Sequence, residues 1–104
     1  SLSYPGAEGA AKMAGIMASL REKPPVEIGG YKVTRITDYQ NTAQTGLPAA
    51  NLLAYKLEGG ATVIVRPSGT EPKIKTYFTT LGKDLAEAEA QEKVLADALK
   101  PILA

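Results

Sequence analysis

Cysteine, histidine and tryptophan are all missing from the 104 residues. Without cysteine there is no disulfide and no thiolate metal site, which fits a reducing, cytoplasmic setting. Without histidine, imidazole acid–base chemistry, a Ser-His-Asp triad and imidazole metal ligation are excluded from this chain. A surplus of one charge sign is lacking too: twelve basic and eleven acidic side chains leave a net charge of +1. Such a balance offers no field for a polyanion, so no nucleic-acid partner is expected. No apolar run approaches the length of a membrane span and no secretory leader is visible, so no membrane partner is expected either.

What remains is ordinary globular material. A hydrophobic fraction of 44% argues against disorder, and the length suits a single domain spanning residues 1–104. A helix is expected from about Pro5 to Arg21, where Ala10, Met13, Ala14, Met17 and Leu20 form one apolar stripe. Pro24-Pro25 ends it. Gly29-Gly30 then turns the chain into a β-rich strand, Tyr31–Tyr39. Gln40 to Asn51 lacks periodicity and reads as a loop. Leu52–Glu58 and Ala61–Arg66 flank Gly59-Gly60, a strong hairpin signal. A two-residue turn there sets Tyr55 opposite Ile64 and Lys56 opposite Val63. Neither face is then purely polar, which hints that the face not covered by helices meets a neighbouring domain.

Ile74–Leu81 supplies another strand. Asp84 opens a second helix, with Glu87 three residues on as an acidic capping box, and Pro101 is expected just past its end. The pattern predicts an α+β fold: a small antiparallel sheet of about four strands with two helices on one face. No element read from the pattern needs Ser1 or Leu2.

One stretch carries chemistry, Arg66 to Lys75. Two prolines, Pro67 and Pro72, restrain a turn holding Ser68, Gly69 and Thr70, with two hydroxyls and three backbone N–H groups between them. Gly69 permits close backbone approach, and successive N–H groups in such a turn form an anion-binding nest. Arg66 adds a guanidinium fork matched to two phosphate oxygens. Lys73 and Lys75 raise the local positive charge, partly offset by Glu71. Read from its residues alone, the stretch is either a phosphate site or a plain surface turn. It is not a nucleotide P-loop, because the Gly-x-x-x-x-Gly-Lys spacing is absent and a strand, not a helix, follows. Asp38, Asp84 and Asp97 are isolated acids, so no metal site is expected in this chain.

The run VIVRPSGTEPKIKTYF, Val63 to Phe78, resembles the C-terminal phosphate-binding loop of the α-D-phosphohexomutase family, the phosphoglucomutases and phosphomannomutases. TGLPAANLLAYKLEGG, Thr45 to Gly60, and EIGGYKVTRITDY, Glu27 to Tyr39, look like its bacterial phosphoglucomutase branch. The resemblance implies a fragment, the last and TATA-box-binding-protein-like domain of a four-domain isomerase. It implies that Arg66, Ser68, Gly69 and Thr70 ligate a substrate phosphate, that Lys75 assists, and that Glu71 and Lys73 support them. It further implies Mg²⁺ and glucose 1,6-bisphosphate in the parent enzyme, with neither bound by this fragment alone. The implied partners are a phosphosugar and three preceding domains. Those domains hold the phosphoserine, metal-binding and sugar-reading loops, none of which occurs here. The fragment is therefore expected to be inactive by itself. Two readings of another class remain: an RNA-binding module using Tyr31, Tyr55, Tyr77 or Phe78 as stacking platforms, and a pure interaction domain.

Overall fold

The computed structural model describes residues 2–4, 8–68, 73–80 and 83–103. Its elements run β1 (Leu2–Ser3), α1 (Gly9–Glu22), β2 (Glu27–Ile28), β3 (Tyr31–Asp38), α2 (Thr42–Thr45), β4 (Leu53–Leu57), β5 (Thr62–Pro67), β6 (Lys73–Thr79) and α3 (Leu85–Ile102). One antiparallel sheet has the order β1-β6-β5-β4-β3-β2. The expected α+β architecture is present, with four principal strands and a two-residue strand added at each edge.

Alternation builds the core. Leu53, Tyr55 and Leu57 on β4, Val63 and Val65 on β5, and Ile74 on β6 all point to one side and are buried. Met13, Met17 and Leu20 of α1 and Leu95 and Leu99 of α3 close over them in one cluster. Burying a side chain of this size contributes roughly 1.5–3 kcal/mol, so this side of the sheet supplies most of the cohesion. Ala10 and Ala14, assigned to the α1 stripe from periodicity, are exposed, as is Leu85 at the start of α3.

Turn chemistry decides the register. Gly29 and Gly30 have φ of 60° and 85°, the left-handed pair of a two-residue hairpin turn, and they set Ile28 opposite Tyr31. The β4–β5 turn is longer than its sequence suggests. Leu57 N–H donates to Ala61 O at 2.8 Å and Gly60 N–H to Leu57 O at 3.0 Å, so three residues, Glu58 to Gly60, make the loop. Tyr55 therefore lies opposite Val63, and Ala54 opposite Ile64, one residue out of step with the expected pairing. Because side chains alternate with period two, that single residue turns β5 over. The result gathers the large apolar residues onto one face instead of mixing both.

Three further differences have local causes. Tyr39 N–H to Leu52 O and Ala50 N–H to Tyr39 O close off the segment expected to be a loop. Inside it Asn41 caps the four-residue α2. Gln44 of α2 then serves as a surrogate strand: its side chain accepts from Asp38 N–H and donates to Ile36 O, both at 3.1 Å. Pro101 lies within α3, not beyond it. The chain continues helically past it because Leu103 is fully buried and its N–H reaches Leu99 O at 2.9 Å. Leu2 pairs with Ile74 and Ser3 with Lys73, so Leu2 does take part in the fold. The next residue, Tyr4, is buried, and its hydroxyl donates to Leu103 O. That bond ties the first strand to the end of the last helix. Asp84 N-caps α3 as expected, accepting from Glu87 N–H at 2.9 Å.

Candidate functional site

The stretch from Arg66 to Lys75 joins β5 to β6. Arg66 and Lys75 are cross-strand partners, with Pro67 opposite Ile74 one step nearer the loop. Both cationic side chains are exposed on the side of the sheet opposite the core. Pro67 has no N–H, yet the ladder continues one step further: Ser68 N–H donates to Lys73 O at 2.8 Å. This bond pins the strand ends on either side of Gly69 to Pro72. Those four residues lie outside the described ones, so Gly69, Thr70 and Glu71 are expected site residues whose geometry is not described. Arg66, Ser68, Lys73 and Lys75 are brought together at the loop mouth by the β5–β6 register.

Beside the mouth is a cleft of about 310 Å³, lined by Ala10, Met13, Ala14, Asn51, Pro67 and Ser68. The small exposed alanines of α1 form one wall. Asn51, on the approach to β4, forms another, and its Oδ1 accepts from Arg21 Nη2 at 2.7 Å. Arg21 Nε in turn donates to Asp38 Oδ2 at 3.1 Å, and Asp38 Oδ1 accepts from Gln40 N–H. This pair is partly buried, and since surface ion pairs contribute only roughly 0–1 kcal/mol, its main role is to position: it moors the 40–51 segment to α1 beside the loop. Sequence reasoning missed Arg21 and Asn51, since thirty residues separate them and nothing local pairs them. A larger surface cleft of about 740 Å³ is bordered by Ser3, Tyr4, Glu8 and Lys12, and none of the expected site residues that are described lines it.

Near this network lies Tyr55, only 1% exposed, with no hydrogen-bond partner for its hydroxyl among the described residues. Burial pushes its pKa up to about 12, with Arg21 opposing the rise and Asp38 adding to it. Among the described residues, no three His, Cys, Asp or Glu side chains are placed to hold a metal ion. Nor is any helix among them long and apolar enough to cross a membrane.

An antiparallel sheet backed by two long helices, with Arg66 and Lys75 paired across β5 and β6, agrees with the α+β fold that the resemblance implied. Comparison with known proteins decides the matter: the profile of the family "Phosphoglucomutase/phosphomannomutase, C-terminal domain" matches residues 7–98. The chain belongs to that family. Relatives of the domain include a protein named probable phosphomannomutase from Haemophilus influenzae, 43% identical over 79% of this chain. A phosphoglucomutase from Staphylococcus aureus is 40% identical over 71% of it. The phosphoglucomutase/phosphomannomutase C-terminal domain is a small part of such proteins: the matches cover only 16% and 15% of the two relatives. No solved structure matches the chain significantly.

Proposed function

We propose that this domain grips the phosphate that is not being transferred, in a cytoplasmic mutase that interconverts hexose 1-phosphates and 6-phosphates. The observation that carries the reading is the pairing of Arg66 with Lys75 across the mouth of the Ser-Gly-Thr-Glu-Pro loop, with Ser68 anchored to Lys73 behind it. A guanidinium fork and an ammonium group on adjacent strands offer charge-assisted hydrogen bonds to a phosphate from one side. The hydroxyls and N–H groups of Ser68, Gly69 and Thr70 complete the ligand set by resemblance, with Glu71 and Lys73 in support.

Transfer itself would take place on the three preceding domains, for which Mg²⁺ and glucose 1,6-bisphosphate are the implied cofactors. The described acids of this chain do not fit a metal, so no step here runs through one. The contribution of this domain is orientation and remote binding energy, which lower the barrier at the far end of the sugar. Glucose is the proposed sugar over mannose or a pentose, because Thr45–Gly60 and Glu27–Tyr39 look like the phosphoglucomutase branch, while the whole-domain identities of 43% to a phosphomannomutase and 40% to a phosphoglucomutase do not separate the two. Coupled assays of the intact mutase on each sugar phosphate decide that choice.

The direct test is Arg66→Ala in the intact mutase. It should cost about 1.5–3 kcal/mol in kcat/KM, roughly 10–150-fold. Ser68→Ala removes one neutral donor and should cost about 0.5–1.5 kcal/mol. An unchanged kcat/KM for Arg66→Ala removes the phosphate-gripping role.

A further inference from the structure

Beyond the loop, the open face of the sheet carries a second cationic pair. Between Val33 and Arg35 the β3–β4 register shifts, a bulge in which Thr34 is the extra residue. Thr34 Oγ1 donates to Lys56 O at 3.1 Å and pins the bulge. Unbulged pairing would put Arg35 opposite Tyr55, facing the core. The bulge instead sets Arg35 opposite Lys56 and turns both cations, exposed, to the open face. Like charges directly opposite on a sheet destabilise it. No ion pair among the described residues engages either of them.

The surroundings reinforce the charge. Lys32, Arg35, Lys56, Arg66, Lys73 and Lys75 are all the cations of β3 to β6, and register places every one of them on the open side. Asp38, the only carboxylate in those strands, is bonded to Arg21 of α1 on the helix side, and on the neighbouring β2 the exposed Glu27 pairs with Lys32, leaving the other five cations facing no acid across these strands. Alongside Arg35 opens a cleft of about 380 Å³ that Pro24, Val26, Lys32 and Thr34 help to line.

We propose that Arg35 and Lys56 form a second phosphate-binding position, four residues along and two strands across the sheet from the Arg66–Lys75 pair, or about 16 Å at the rise and spacing of strands. Two facing cations match a phosphate monoester, which carries close to two negative charges. A single carboxylate would leave one of the cations uncompensated. The position takes the phosphate of a phosphosugar at the far end of the same face and holds it within reach of the loop. It depends on the bulge and on Lys56, and is independent of whether the loop itself binds.

The test is an amide NMR titration of this chain with inorganic phosphate at constant ionic strength, beside a chloride control. Phosphate should shift the Thr34, Arg35 and Lys56 amides with millimolar half-saturation, while chloride leaves them in place. Arg35→Gln with Lys56→Gln should abolish those shifts and leave any at Arg66 and Ser68 unchanged. In phosphate-free buffer of low ionic strength, Lys56→Gln should also raise Tm, because it relieves the repulsion. Shifts confined to the loop, no shifts anywhere, or shifts at Arg35 that survive the double substitution would overturn the second position. The loop reading is judged separately, on Arg66 and Ser68.

Discussion

The same four strands present two faces that obey different constraints. Toward the helices, Leu53, Tyr55, Leu57, Val63, Val65 and Ile74 are at most 2% exposed, and Asp38 is the one acid there, bonded to Arg21. Away from them lie six cations around a central row, Thr37, Ala54, Ile64 and Tyr77, with Tyr77 still 48% exposed. One face is chosen by burial, so size and shape matter. The other is free of packing constraints and is arranged by charge. On the far side, α3 carries four of the eleven acids, Glu87, Glu89, Glu92 and Asp97, against Lys93 and Lys100. A net charge of +1 therefore conceals a molecule that is positive on its sheet and negative on its outer helix. The composition-level argument that no field attracts an anion does not extend to the open face, because fields depend on where charges sit as well as on their sum.

The largest effect should come from the packed face. Leu95→Ala removes a fully buried side chain and should destabilise the chain by about 2–5 kcal/mol in urea unfolding. Tyr77→Ala on the open face should change it by less than about 0.5 kcal/mol. Equal losses for the two would abolish the distinction between the faces.

Next in size is Gly29→Ala. Gly29 has φ of +60°, and an added Cβ would lie 3.1 Å from Val94 Cγ1. The left-handed backbone costs a residue with a Cβ about 1–2 kcal/mol, and thermal melting should show that loss. A smaller loss means that the β2–β3 turn can relax independently of α3.

The smallest change at neutral pH should follow Tyr55→Phe, which removes a buried hydroxyl lacking a described partner. Stability should be unchanged or rise by up to about 1 kcal/mol. The pH profile is more telling. The folded state keeps the phenol protonated up to about 12, while the unfolded chain releases that proton near 10. Between those values the unfolded state binds fewer protons, so stability falls as pH rises. Tyr55→Phe should flatten that fall. An unchanged slope above pH 10 would mean that Tyr55 is solvated in solution.

Local rules carried much of the fold. Gly29-Gly30 announced a hairpin because only residues tolerating positive φ make that turn. Asp84 with Glu87 announced the start of α3 because capping needs only neighbours. The loop motif was equally legible, since Arg66, Pro67 and Ser68 are adjacent in the chain. Arg21, Asn51 and the Arg35–Lys56 pair were not legible, because each depends on residues brought together from different elements.

By itself, then, the sequence determined the types and order of the main elements, their caps, and the family to which the chain belongs. All of these rest on contacts within a few residues. Only the tertiary structure decided which way β5 faces, whether Arg35 points inward or outward, and that Leu2 and Ser3 add a strand beside β6. The physical reason is the two-residue period of a strand. A third residue in the β4–β5 turn or one bulge at Thr34 reverses every side chain beyond it, and the choice falls to whichever register buries the large apolar residues against α1 and α3.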